Sequence, residues 1–236
     1  MNNDTSLFQA LYDLIHATKK DLSYNPFEVK EIDRGEAQEF LDRAYTQSTI
    51  TLVVGRRGSG KTALGMRFLE AYDKQSIRRC FAIGYAAAKL HLWIRKAEGV
   101  TEVPNNSVVL VDEGAIVYSA RDAQKESNKA VGKLMAVARH KNLSLVLITQ
   151  NSAMIDINVL RLCDTIIMKQ PSLMQTKFER RQMNQLYQKA VPYFNALEGI
   201  DKKKCFYVVD DEFEGLLSAG LPEFWNDNVS KSFADF

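Results

Sequence analysis

The sequence predicts an α/β fold, a mostly parallel sheet flanked by helices. Three observations carry this. From Ser48 onward, short runs rich in β-branched and apolar residues follow one another at intervals. They mostly lack the period-2 alternation of a strand with one wet face, as expected of strands covered on both sides. Segments of helical periodicity separate them, and alternation of the two element types favours parallel pairing through crossover helices.

The runs are TITLVV (49–54), CFAIGY (80–85), VVLV (108–111), LSLVLI (143–148) and DTIIMK (164–169). TALGMRFLEAYD and ESNKAVGKLMAVARHK read as helices between them, and a long polar, basic helix over about 175–196 and a last apolar run, KCFYVVD, follow. Ahead of the strands, Leu7, Phe8, Leu11, Tyr12, Leu14 and Ile15 recur at helical spacing behind an N-cap at Asp4 to Ser6. Asn25-Pro26 interrupts the pattern before GEAQEFLDRAYTQ resumes it. The tail GLPEFWNDNVSKSFADF has aromatics but no period. The chain is therefore expected to divide into an N-terminal helical extension (1–47), a sheet domain (48–210) and a C-terminal tail (211–236).

Composition sets the bounds. With 236 residues, 46% of them apolar, one α/β domain can bury a sizeable core. A net charge of +2 from 31 basic and 29 acidic side chains makes no overall basic field, so affinity for nucleic acid has to come from local patches. Candidates are Arg78-Arg79, Lys177, Arg180-Arg181 and Lys202 to Lys204. Cys80, Cys163 and Cys205 are odd in number and widely spaced, which reads as free thiols in a reducing compartment. No stretch approaches the roughly 18 apolar residues of a membrane span, and a cytoplasmic protein, cellular or viral, is expected.

The chemistry concentrates in GRRGSGKT. Gly55, Gly60, Lys61 and Thr62 satisfy G-x-x-x-x-G-K-[ST], placed after a predicted strand and before a predicted helix. In such a loop Gly55, Arg56, Arg57, Gly58, Ser59, Gly60, Lys61, Thr62 and Ala63 surround the phosphates. Backbone N–H groups and the helix dipole attract the anion, Lys61 reaches the β and γ phosphates, and the Thr62 hydroxyl ligates Mg²⁺. Gly58, Gly60 and Ala63 also fit the dinucleotide pattern G-x-G-x-x-A, which leaves Lys61 and Thr62 unexplained. The expected ligand is ATP with Mg²⁺.

Two further strand ends complete the constellation. VVLVDEGA sets Asp112 and Glu113 where an open α/β sheet keeps its ligands, with Asp112 suited to the metal and Glu113 to deprotonating the attacking water. LSLVLITQ ends in Thr149 and Gln150, an amide placed to sense the γ-phosphate or orient that water.

With GRRGSGKT, VVLVDEGA and ARHKNLSLVLITQNSAMIDINVLRLCDTIIMK, the chain resembles the FtsK/HerA superfamily of P-loop motor ATPases over roughly residues 48–170. Within it the sequence looks most like the small genome-packaging ATPases of viruses with internal membranes. It is also similar to the Zot-like ATPases of filamentous phages, which share an Arg-His before a strand ending in Thr-Gln. The resemblance implies a RecA/ASCE-like sheet of order 5-1-4-3-2, a homo-oligomeric ring, usually a hexamer, and sites completed by an arginine from a neighbour. Arg139 is the first candidate for that finger and Arg121 the second. It further implies double-stranded DNA as the translocated partner, virion or portal proteins as assembly partners, and a place in the host cytoplasm or on the virion. A Zot-like assembly or export ATPase, a small-molecule phosphotransferase and a nucleotide-switched binding module are the alternatives.

Overall fold

The computed structural model describes residues 21–226 except 22, 86, 87, 89, 113–123, 150–156, 179 and 200, with the backbone alone for 124–129, 173, 174 and 178. Its strands are β1 (Phe27–Gly35), β2 (Ile50–Val54), β3 (Cys80–Ile83), β4 (Ile94–Lys96), β5 (Val108–Asp112), β6 (Ser144–Thr149), β7 (Thr165–Met168), β8 (Cys205–Asp210) and β9 (Phe213–Ala219). Its helices are α1 (Ala37–Thr46), α2 (Lys61–Gln75), α3 (Gln124–His140), α4 (Ile157–Leu162), α5 (Leu173–Phe178), α6 (Arg181–Ala196) and α7 (Asp201–Lys204).

All five predicted apolar runs are strands. Among the described residues the sheet runs β1-β9-β8-β7-β2-β6-β5-β3-β4, and its centre, β7-β2-β6-β5-β3, is the order 5-1-4-3-2. β2 pairs in parallel with both β6 and β7, with Val54 opposite Thr149 on one side and Met168 on the other. Successive residues of these strands enter opposite layers. Val53, Leu110, Val146 and Ile148 pack with Phe40 and Leu41 of α1 and Met66, Leu69 and Tyr72 of α2. Leu52, Val54, Val109, Val111, Leu145 and Leu147 pack with Met135 and Ala138 of α3 and Met183, Tyr187 and Phe194 of α6. Both faces are apolar because both are covered.

The sheet is wider than the expected five strands, and the expected domain boundaries do not coincide with breaks in it. β8 pairs antiparallel with β7, β9 with β8, and β1 with β9. The stretch 1–47 therefore contributes an edge strand as well as helix α1. The stretch 211–236 opens with β9, all seven of whose residues are buried. Neither strand announces itself. β9 carries Glu214, Gly215 and Ser218, while β1, exposed at every position after Phe27, is charged as a sheet edge tends to be. Gly215 is needed there: an added Cβ would lie 2.3 Å from the Glu31 carbonyl oxygen, where the β1 register slips. The β8–β9 turn is pinned by Arg34, which donates to the carbonyls of Asp210 and Asp211, and by Arg43, which pairs with Asp210 and with Glu212 at 2.8 Å.

The long helix expected over 175–196 is two helices. α5 opens with a reciprocal cap, Ser172 Oγ accepting from the Gln175 N–H at 3.0 Å and Gln175 Oε1 from the Ser172 N–H at 2.9 Å. Extended backbone at Arg180 (ψ 147°) then separates it from α6. The predicted helix over 7–15 lies outside the described residues. All three cysteines are free, Cys80 and Cys205 buried and Cys163 half-buried. No helix among the described residues is long and apolar enough to cross a membrane.

Helix α2 approaches the sheet closely at Gly65, where an added Cβ would meet Leu110 Cδ1 at 2.6 Å and Ile148 Cδ1 at 2.9 Å. Gly65→Val is expected to destabilise the fold by about 1–3 kcal/mol through overpacking. Gly132→Ala in α3, with nothing described within 4 Å of the added methyl, should be neutral or stabilising by up to ~1 kcal/mol. Urea unfolding of the two variants against the parent chain checks both.

Candidate active site

Six residues, Gly55 to Gly60, connect the end of β2 to the start of α2. Gly58 and Gly60 have φ of +74° and +87°, a region that residues with a Cβ enter at a cost. Gly60 is the N-cap of α2, so its left-handed turn aims the free N–H groups of the helix back into the loop. Lys61 is buried, and its Nζ donates to the carbonyls of Gly55 and Arg56, each at 2.9 Å. The Ser59 hydroxyl is buried with no hydrogen-bond partner among the described residues. Inward N–H groups, an orphaned hydroxyl and a lysine lying across the loop fit a chain of phosphates.

The loop is anchored to the neighbouring strand. The Lys169 N–H donates to the Val54 carbonyl at 2.8 Å, and the Arg56 N–H to the Gln170 carbonyl at 3.2 Å. Arg56 Nη2 adds a bond to Gln170 Oε1 at 2.8 Å. Arg56, Arg57 and Gly58 are exposed at the rim.

Asp112 ends β5, half-buried, with the Tyr85 hydroxyl donating to its Oδ2 at 3.4 Å. Burial and the Asp112 carboxylate push the Tyr85 phenol well above its usual value, so it remains a donor. The packing of α2 relates this carboxylate to the loop. Gly65 sits against Leu110 and Ile148. Thr62 lies three residues before Gly65 on the same helix face, and Asp112 two residues after Leu110 on the same strand face. Because α2 runs away from the strand ends, both steps lead toward the loop, and Thr62 and Asp112 share one gap between helix and sheet. Among the described residues no group of three or more His, Cys, Asp or Glu could enclose a metal. A hard cation held by a hydroxyl and one carboxylate, its other ligands phosphate and water, fits Mg²⁺.

Thr149 is buried at the end of β6, opposite Val54. Glu113, Gln150 and Arg121 lie outside the described residues. Arg139 stands elsewhere: at the end of α3, which precedes the first residue of β6, it is at the opposite edge of the sheet from its own phosphate loop. There it donates to the Leu162 carbonyl at 2.8 Å and faces Asp164 at 3.7 Å. Of the basic candidates for a nucleic-acid surface, Arg78 is removed: it is buried and donates to the Asn142 carbonyl at 2.7 Å.

Sequence reasoning missed two groups. Tyr85 ends the run CFAIGY, and the β3–β5 pairing of Ile83 with Val111 brings it beside Asp112. Lys169 ends DTIIMK and is buried behind the loop, where an added Cβ on Gly55 would meet its Cβ at 2.7 Å. The signal was the strand order itself, because 5-1 adjacency puts the end of the fifth run beside the loop.

The zonular occludens toxin (Zot) family model matches residues 85–209, more than half of the 236. The chain belongs to the Zot family. The match starts after the phosphate loop and spans β4 to β7 and β8 as far as Val209, with Asp112, the Arg-His of α3 and Thr149. No curated protein matches it in sequence. Among solved structures, it is similar to the genome packaging NTPase B204 of Sulfolobus turreted icosahedral virus 2 in complex with ATP-gammaS, at 16% identity and a TM-score of 0.49, covering 74% of this chain and 98% of that one. The N-terminal domain of zonular occludens toxin from Neisseria meningitidis is similar at 21% identity and a TM-score of 0.37, covering 52% and 77%. A KaiC-like protein from Pyrococcus horikoshii is similar at 10% identity and a TM-score of 0.44, covering 84% and 93%.

Gly60→Ala should strain the left-handed turn by about 1–2 kcal/mol, and its methyl would press on the Lys203 carbonyl oxygen, 3.3 Å away. The expected result is a lowered melting temperature and loss of triphosphate binding, read by differential scanning fluorimetry with and without ATP.

Proposed function

We propose that this Zot-family chain is an ATP-hydrolysing motor that moves double-stranded DNA for a virus, working as a ring with its sites between subunits. The observation that carries the reading is Lys61 lying across a glycine loop at the N-terminus of α2, with Asp112 at the end of β5, the strand against which α2 packs at Gly65. ATP binds with its β and γ phosphates on the N–H groups of the loop, on Ser59 and on Lys61. Thr62 and Asp112 hold Mg²⁺, which when bound neutralises charge developing on the phosphate oxygens. Glu113 takes the proton of the attacking water, and Gln150 orients that water. Arg139 or Arg121 of a neighbouring copy meets the charge of the transferring phosphoryl group.

The double-stranded DNA partner is read from the motor-like order of motifs and from the exposed basic residues Lys177, Arg180, Arg181, Lys203 and Lys204, which suit phosphate contacts without base readout. The expected setting is a viral genome-packaging apparatus in the host cytoplasm or on the virion, beside virion or portal proteins. The family match favours a second reading, an ATPase of phage assembly or export.

Steady-state ATP hydrolysis across protein concentrations, with and without long double-stranded DNA, separates the readings. A steep rise of specific activity with concentration and stimulation by DNA are expected of the translocase; turnover indifferent to DNA favours assembly or export. Glu113→Gln should retain ATP and lose nearly all turnover. Lys61→Ala, which removes a charge-assisted bond of about 1.5–3 kcal/mol, should weaken ATP binding itself by on the order of 10–150-fold. Unimpaired turnover in Glu113→Gln refutes the base.

A further inference from the structure

We propose that Lys169 is a positioning residue of the phosphate loop: a buried amine that holds the loop to the Asp201–Cys205 segment and takes up a proton when a triphosphate binds. This rests on the reading of the loop as a triphosphate site.

The geometry is specific. Lys169 leaves β7 directly behind the loop, 1% exposed. Its backbone N–H bonds the last carbonyl of β2, and its stem packs under Gly55. Its Nζ donates to the Lys203 carbonyl and, at 2.8 Å, to the Cys205 carbonyl. The same Nζ lies 4.0 Å, and the Lys203 carbonyl oxygen 3.3 Å, from the position of a Cβ on Gly60. One side chain thus touches both ends of the loop and the turn that carries Lys202 to Lys204.

Two carbonyls satisfy the two N–H bonds of a neutral amine; an ammonium carries a third. The ionisable groups facing this amine are Lys61 at the start of α2 and the Cys205 thiol on β8, while α7 presents a carbonyl. Among the described residues no carboxylate faces it. Burial, with Lys61 adding repulsion against the opposing effect of Cys205, pushes the Lys169 amine down to about 7. Above that value the amine of the free protein is mostly neutral. A triphosphate on the other side of the loop supplies the missing counter-charge, raises the affinity of the amine for a proton, and draws one from solvent. The new charge tightens the bonds to Lys203 and Cys205. Filling the loop is thereby transmitted to the basic turn.

The sign follows by linkage. The bound state holds more protons than the free state, so triphosphate affinity falls as pH rises through the free value of about 7 toward the higher bound value. The test is calorimetric titration of the full chain with Mg²⁺ and ATPγS at about pH 8, in two buffers of different ionisation enthalpy, with uptake of about 0.5–0.9 proton per nucleotide expected. Affinity should drop by about 3- to 8-fold per pH unit around that pH, the slope matching the uptake, and level off above the bound value. Lys169→Arg, charged throughout, should hold at about pH 8 the affinity that the wild-type chain shows only below about pH 7, and should lose the uptake. Lys169→Met should lose both, with its folding checked by circular dichroism. Binding with equal heat in both buffers, or uptake persisting in either variant, overturns the role of Lys169 and leaves the triphosphate site standing. Absence of any binding in the wild-type chain overturns that site and this inference together. The wild-type titration decides even if Lys169→Met does not fold.

Discussion

Everything at the site depends on β2 being paired in parallel on both sides. With β6 and β7 as neighbours running in the same direction, the strand ends Val54, Thr149 and Met168 lie side by side at one edge of the sheet. The phosphate loop can then be anchored laterally, through the Lys169 and Arg56 N–H groups, instead of standing on its own. The left-handed turns at Gly58 and Gly60 cost a glycine little, so the lateral bonds have only to fix where the loop lies.

The same pairing explains the two-layer core. A central parallel strand is covered on both faces, so β2 cannot alternate polar and apolar residues, and α2 has to lie close over β5 and β6. Gly65 is the residue that lets it do so. The closeness has a chemical consequence, since the gap that admits no side chain at Gly65 is the gap in which Thr62 and Asp112 converge one turn farther on. Packing and the placing of these two side chains are consequences of one helix position.

How much of this was legible in the sequence depended on how local its cause was. The five central strands were readable because two-sided burial writes itself as an unbroken apolar run, and the phosphate loop because its three glycines and Lys61 fall within seven residues. β1 and β9 were not, because their burial is decided by each other. Phe213 to Ala219 is fully buried only with β1 laid over its edge, and β1 is charged because nothing described covers it. The break between α5 and α6 was hidden since Ser172 and Gln175 cap the first helix from within a stretch whose polarity suits a helix surface. In the sequence Lys169 is only the last residue of the run DTIIMK. Only the antiparallel return of β8, which brings the Cys205 carbonyl over it, makes it a buried amine.

Arg139 shows what a single chain cannot do alone. β6 lies between this residue and the end of the sheet that bears the loop, and its six residues span roughly 20 Å at the rise of a strand. A guanidinium side chain does not bridge that distance, and this one is occupied with the Leu162 carbonyl and with Asp164, which itself accepts from the Ile50 N–H at the foot of β2. Within one copy Arg139 therefore ties together the feet of the strands whose tops hold the loop. A role in phosphoryl transfer requires a second copy that presents this lower edge to the upper edge of its neighbour, a head-to-tail contact. Such a contact, repeated with a closing rotation, generates a ring. The position of this arginine makes the hydrolytic role and the assembly a single question, whereas its bonds to Leu162 and Asp164 belong to the folded copy in either case.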